Sequence, residues 1–475
     1  MDRRQLLGGI AALPLIGAGT AYADDAYADD MAILRAALAL HPGLYRYATP
    51  SQVESGLNRL AALWPGAGLE TRYLALSRFL AALRCGHSYC NFFNQRRAIA
   101  AALFDRPTRL PFHFRWIDGA MIVTADPNGT LPPGTSVTSI NGTPSAALLA
   151  RLMPYARADG HNDGKRRALL EVQGEDTIET FDVFQGLLAP PPPGGHRIEA
   201  VLPDGGAKTL VLPGIDLAAR RAMMTKPADD AEGARWQWAM RGDVALLTMP
   251  GWALYNSKWD WAGWLEARLD SLGGARGLVI DLRANEGGLD CGDPILARLI
   301  DRPLAPPAIE QRLRFTRTPP ALDRYLDTWD DSFRQLGVGG APLPGGFVAR
   351  PGGNRDITIQ PAAKRLKLPV AALISPTNSS ATFQFAMMAR ASGKVRLFGQ
   401  TTGGNQRGIN GGAFFFVRLP ESGIEFDLPL VGYFAPPGTP DAGLAPDVFI
   451  APTARDIAAG HDPAFDAALA WVARA

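Results

Sequence analysis

Two segments have the residue types that nucleophilic acyl chemistry needs. The first is Asp281-Leu282-Arg283-Ala284-Asn285-Glu286-Gly287-Gly288, directly after an apolar run. Paired glycines at such a place let backbone N–H groups face outward and receive a developing oxyanion. The second is Ser375-Pro376-Thr377-Asn378-Ser379-Ser380-Ala381-Thr382, which also follows an apolar run and opens a helical pattern. A serine there is by default a helix cap. The same position suits a nucleophile, because the free N–H groups and the helix dipole favour negative charge. Each segment alone reads more readily as a plain strand-to-helix turn. A third segment, Cys85-Gly86-His87-Ser88, offers an imidazole, which accepts a proton near neutral pH.

The elements that must position these residues are legible in outline. From about residue 30 to 84 the pattern is helical. Ser51 to Glu54 has the form of a capping box. Val53, Leu57, Leu60 and Trp64 then recur on one helix face, and a second helix over 69–83 turns Tyr73, Leu76, Phe79 and Leu80 inward before delivering the chain to Gly86 and His87. Residues 107–214 read as short strands and turns. Asp118-Gly119 and Asn141-Gly142 are hairpin signals, residues 146–153 are helical, and Pro190 to Pro193 form a stiff extended run. Residues 226–233 read as a linker. From about Arg235 apolar strands over 244–249, 278–282, 369–374 and 395–398 alternate with helices over 259–272, 291–300 and 380–391. That alternation predicts a sheet covered on both faces.

Composition limits the function classes. The chain has 475 residues, 47% hydrophobic and 20% charged, with a formal net charge of +2. That is enough for two or three domains, and no basic block asks for nucleic acid. Arg3 and Arg4 precede an apolar run from Leu6 to Ala18, and Ala21-Tyr22-Ala23 is a small-x-small cleavage site. This predicts a signal peptide over 1–23 and a periplasmic or secreted mature chain without stable membrane insertion. The paired arginines also fit a twin-arginine signal. Of the three cysteines, Cys85 and Cys90 are spaced to pair in an oxidising compartment, leaving Cys291 over. Two thiols and His87 without a second cluster do not make a zinc site. No His-Glu-x-x-His, phosphate loop or Gly-x-Ser-x-Gly elbow occurs, so no metal and no cofactor is expected.

In combination the motifs resemble the tail-specific (carboxy-terminal-processing) serine proteases. Asp-Leu-Arg-x-Asn-x-Gly-Gly from Asp281 and the later Ser-x-x-x-x-Ser380-Ala381 are similar to that family's oxyanion and nucleophile motifs. Phe398 to Gly404 looks like its Gly-x-x-Thr-x-Gly loop, and Gly443-Leu444-Ala445-Pro446-Asp447 like its late Gly-x-x-Pro-Asp turn. The resemblance implies Ser380 as nucleophile and an oxyanion hole from Ala381 with Gly287 or Gly288. The processing branch uses a Ser–Lys dyad, but Thr401 stands at the lysine position, and Lys394 falls at the wrong point in the pattern. The tricorn-core and interphotoreceptor-retinoid-binding-protein-like branch takes its base from a Gly-His-Ser/Thr context upstream, which His87 matches. The remaining histidines, His41, His113, His161, His196 and His461, lie in loop or surface-like contexts. That branch also places a Glu near the late turn, where this chain has Pro440. Asp441 is next to it, with Glu425 and Asp427 as alternates.

The resemblance therefore implies an α/β protein with a crotonase- or ClpP-like catalytic core over 235–475. It also implies an N-terminal helical region over 24–106 and a PDZ-like β-rich domain over 107–225. The function expected is a serine endopeptidase acting on peptide or protein substrates. Two rivals remain on the same fold: a non-catalytic binder of apolar ligands or peptides, and a hydrolase of small esters or amides.

Overall fold

The computed structural model describes residues 29–225, 235–255, 257–353 and 358–474. The expected signal peptide and the 226–233 linker lie outside the described residues. The chain divides into two compact units that interleave along the sequence. One comprises residues 1–103, 310–354 and 410–434; the other comprises 104–309, 355–409 and 435–475.

In the first unit, helices Asp30–Leu38, Pro50–Leu63 and Leu69–Ala82 bury Val53, Leu57, Leu60, Trp64, Tyr73, Leu76, Phe79 and Leu80. The capping box differs from the sequence reading. Thr49 accepts from the Gln52 N–H and Gln52 reaches back to the Thr49 N–H. Pro50 follows at the first helical position, where its fixed φ fits and its missing N–H costs nothing. Ser51 is thus inside the helix, and Glu54 instead pairs with Arg35 at 2.9 Å. An antiparallel sheet, in spatial order 326–327, 410–418, 425–434, 310–313, 347–349, 342–343, completes the unit. Its longest strand, Glu425–Phe434, is buried at every position from Glu425 to Gly432. Such a strand shows no alternation in sequence, and the sequence reading did not find it.

The second unit holds two sheets. Strands His113–Ile117, Ala120–Ala125, Ser136–Ile140, His196–Val201 and Ala207–Leu212 form an antiparallel sheet. Both expected tight turns are present. Asp118 and Gly119 have φ +49° and +81°, and Asn141 and Gly142 have +52° and +77°, which is the type I′ signature. Helices Asp163–Leu169 and Thr180–Leu188 were not expected among these strands. The second is buried over eight of its nine residues, so it lacks the polar face that would reveal a helical period.

The other sheet runs 448–449, 395–399, 370–374, 277–281, 244–248, 237–241 and is parallel except at the 237–241 edge. Its faces separate cleanly. Leu278, Ile280, Val370, Ala372 and Ile374 pack with Phe385, Ala386 and Met388 of helix Ser380–Ser392, together with Leu265 and Ile295. Val279, Ala371 and Leu373 face Ala464, Ala468 and Val472 of the C-terminal helix. The chain is therefore α/β, with the helix-covered parallel sheet that the alternation predicts. Each fully buried Leu, Ile or Val contributes about 1.5–3 kcal/mol. Among the described residues no helix is long and apolar enough to cross a membrane. Cys85, Cys90 and Cys291 are buried and in no disulfide among the described residues, so the Cys85–Cys90 bridge that the spacing allows is not made. Burial pushes the Cys90 thiol up to about 12.

Candidate active site

Parallel strands 277–281 and 370–374 end level with each other, with Asp281 opposite Leu373. The glycine loop and the serine loop therefore leave the sheet side by side at its carboxyl edge, where open α/β sheets bind ligands. Two buried asparagines fasten these loops. Asn378 accepts from the Ser375 N–H at 2.7 Å and donates to the carbonyls of Leu282 at 2.5 Å and Asn285 at 3.0 Å. Its own carbonyl accepts from the N–H groups of Gly403 and Gly404 at 2.7 and 3.0 Å. Asn285 donates to the Met249 carbonyl at 2.9 Å, while its Oδ1 accepts from the Gly287 N–H at 2.9 Å and the Thr382 hydroxyl at 2.7 Å.

Gly287 and Gly288 have φ +117° and +139°, conformations that side chains rarely adopt. A methyl group at 287 would lie 2.8 Å from the Ser380 Cβ, 2.9 Å from the Ser379 carbonyl oxygen and 3.1 Å from the Ala381 nitrogen. One at 288 would lie 2.1 Å from the Trp252 carbonyl oxygen. The glycines thus let the loop backbone approach the serine directly. The Gly287 N–H is held by Asn285. The N–H groups of Gly288 and Ala381 make no hydrogen bond among the described residues.

Ser380 is the first residue of its helix and has φ +51°. A left-handed conformation costs a non-glycine residue about 1–2 kcal/mol, and such strain clusters at functional corners. Ser379 is the N-cap, but its hydroxyl donates to the Glu286 carbonyl at 3.0 Å and caps nothing in its helix. The two adjacent hydroxyls therefore differ: one ties the loops together, and the other stands half-buried at a strained corner.

Around this corner, Asn162 donates to the carbonyls of Thr402 and Gly404 at 2.9 Å each. Asp441 accepts from the His161 ring at 2.6 Å and from Asn405 at 2.7 Å. Partial burial works against its charge, but the bonds from His161 and Asn405 outweigh that and hold the carboxyl below the ordinary carboxylate range. Lys394 pairs with Asp301 at 2.8 Å on the exposed surface. A different lysine reaches the loops. Lys165, 3% exposed, donates to the Glu286 carboxylate and, at 2.8 Å, to the Thr377 carbonyl. No motif marks it, because its partners are distant in sequence.

In the other unit, His87 follows Arg84, which has φ +55°. Its ring lies 5.8 Å from that of Phe414, and a Cβ at Gly411 would be 3.9 Å from its Cε1. The flanking residues are anchored: Asn410 donates to the Cys85 sulfur at 3.3 Å, and His41 Nε2 lies 2.8 Å from the Ser88 hydroxyl. The Gly43 N–H donates to His41 Nδ1, so Nε2 carries the proton and donates to Ser88. Burial and then Arg46 push His41 down to about 3, leaving it neutral. His41, His113 and His196 are buried, correcting their reading as surface-like; His161 and His461 are exposed. Asp427 accepts from Asn91 at 2.7 Å and Asn94 at 3.0 Å, and Glu425 lies 3.4 Å from Arg418.

Residues 243–450 match the model of peptidase family S41. The structure of mature CPAF is similar to this one, with a TM-score of 0.57 and 16% identity over 90% of this chain and 93% of that one. For mature CPAF complexed with lactacystin the TM-score is 0.58, again with 16% identity, over 94% and 96% of the two chains. At that identity the likeness concerns the fold. No curated protein matches the chain in sequence.

Proposed function

We propose that the protein, whose residues 243–450 match the model of peptidase family S41, is an exported serine endopeptidase with Ser380 as its nucleophile. The observation that carries this reading is the backbone of Ser380. It has φ +51° at the head of a helix, with Gly287 packed against its Cβ. A serine that merely capped the helix would need no such conformation, and Ser379 already occupies the cap position.

In the proposed reaction the Ser380 hydroxyl attacks a peptide carbonyl. His87 accepts the serine proton and returns it to the leaving amine. The tetrahedral oxyanion is held by the N–H groups of Ala381 and Gly288, since that of Gly287 is engaged by Asn285. Asp441 is assigned to orient the base, with Glu425 and Asp427 as alternates. The acyl-enzyme is released by water through the same groups in reverse. The antiparallel sheet over 113–212 is assigned to a PDZ-like module for peptide ends, and residues 1–23 to an export signal.

Hydrolysis of a peptide substrate by Ser380→Ala and Ser379→Ala variants tests the assignment. Ser380→Ala abolishes turnover while the fold is kept, because loss of one helix-opening hydroxyl costs about 0.5–2 kcal/mol. Turnover retained in Ser380→Ala, or lost only in Ser379→Ala, contradicts it. Amino-terminal sequencing of exported protein beginning at Asp24 supports the signal assignment, and retention in the cytoplasm removes it.

A further inference from the structure

We infer that Lys165 is a positioning residue for the oxyanion loop, clamping the Glu286 carboxylate to the Thr377 carbonyl and so setting the spacing between Gly287 and Ser380. The inference rests on the reading of Ser380 as nucleophile. The clamp joins three stretches of the second unit. Lys165 comes from helix Asp163–Leu169, whose Asn162 cap is itself tied to the 402–404 loop. Its ammonium donates to Glu286, at the head of the glycine pair, and at 2.8 Å to Thr377, in the serine loop. The lysine stem fills the space beside Gly403, where a Cβ would lie 2.8 Å from Cδ.

Residue 286 is therefore held at both ends. Its carbonyl accepts from Ser379, and its side chain is gripped by Lys165, with Arg157 at 3.4 Å as a second cation. Gly287 has no side chain with which to fix its own position. Its neighbours Asn285 and Glu286 must do so, and the clearance to Ser380 leaves no room for even a methyl group. A small displacement would move the oxyanion donors relative to the nucleophile, and misplacement by about 1 Å can cost 10²-fold in rate.

Lys165 is not a second general base in this geometry. Both partners, the Glu286 carboxylate and the Thr377 carbonyl, are acceptors, so the nitrogen donates to each, and the carboxylate favours the charged ammonium. Burial lowers its affinity for that proton, Glu286 restores part of it, and Arg157 adds to the lowering. A buried ammonium is tolerated only when paired and hydrogen-bonded, and the paired carboxylate here belongs to the oxyanion loop.

The test compares wild type with Lys165→Met, Lys165→Arg, Glu286→Gln and the double variant Lys165→Met/Glu286→Gln. Peptide hydrolysis, its pH profile and amide hydrogen exchange over residues 285–288 are measured. We expect Lys165→Met to lower kcat on the order of 10–100-fold with KM nearly unchanged and the acid limb of the pH profile unmoved. Lys165→Arg should recover part of that loss. The double variant should be no slower than the worse single, because both remove one contact. Exchange at Gly287 and Gly288 should quicken. Wild-type kcat in folded Lys165→Met, multiplied losses in the double variant, or a shifted acid limb overturns the inference. If Lys165→Met does not fold, the part-exposed Glu286→Gln carries the same expectations alone. If the wild-type protein does not hydrolyse peptides, the proposed function fails, while unaltered exchange in Lys165→Met independently overturns the clamp.

Discussion

The loop that carries His87 and the loops that carry Ser380 are built by different means. Around His87 two of the anchors are neutral: a histidine held without charge donates to Ser88, and an asparagine amide donates to the Cys85 sulfur. Around Ser380 the anchors are two buried asparagines with several bonds each, a lysine–carboxylate clamp, and glycines in conformations closed to other residues. The first arrangement fixes a side chain through its neighbours. The second fixes backbone N–H groups, which have no rotamers and must be aimed by the whole loop. Aiming an oxyanion site therefore rests on several supporting residues at once, and each is open to single changes.

Substitutions can break that contrast. The largest effect is expected from His87→Ala, which removes the proposed proton acceptor and should lower turnover by about 10²–10⁴-fold. Lys394→Ala should leave the rate unchanged, since that lysine pairs with Asp301 at the surface. Steady-state kinetics on both variants separates an imidazole base from a lysine base. Gly287→Ala follows: its methyl group would meet the Ser380 Cβ at 2.8 Å. It should cost about 10²–10³-fold in kcat, together with about 1–3 kcal/mol of strain. Asn378→Ala strands the Ser375 N–H and two carbonyls, and should lower unfolding free energy by about 2–4 kcal/mol. Asn410→Ala, which loses one weak bond to sulfur, should cost less by denaturant titration. If the two asparagine losses are equal, the contrast between the regions is wrong.

Smaller effects sharpen it. Asp441→Asn should give an intermediate loss of activity if that carboxylate orients the base; a larger loss in Glu425→Gln would transfer the role. The neutral anchor in the His87 region predicts a pH signature. His41 is lowered from an ordinary 6.5 to about 3, so between those values the unfolded chain takes up a proton that the native state refuses. Its contribution is complete above pH 6.5 and is lost as pH falls toward 3, at about 1.4 kcal/mol per unit. His113, lowered to about 4 by burial, acts in the same direction. Urea titrations between pH 7 and pH 5 should show His41→Gln with a shallower loss of stability than wild type.

How much of this was legible follows from the same physics. The core strands and the Ser380 helix could be read because buried parallel strands are continuous apolar runs and the helix between them has a face. Both type I′ turns could be read from Asp-Gly and Asn-Gly alone. Strand Glu425–Phe434 and helix Thr180–Leu188 could not, since an element buried on all sides has no period. At the site, the glycine and serine motifs were visible because their roles belong to adjacent residues. Lys165 was hidden because its role exists only through Glu286 and Thr377, both far away in the chain. In the sequence His41 reads as a loop residue, and only its burial against Ser88 marks it as an anchor.

The central claim, that Ser380 is an activated nucleophile and Ser379 is not, can be tested in a single labelling experiment. The mature protein is treated with a fluorophosphonate, digested, and the modified residue located by mass spectrometry. The account predicts one phosphonylated site at Ser380, absent in Ser380→Ala and strongly slowed in His87→Ala. No labelling of the folded protein, or labelling at Ser379, would contradict it.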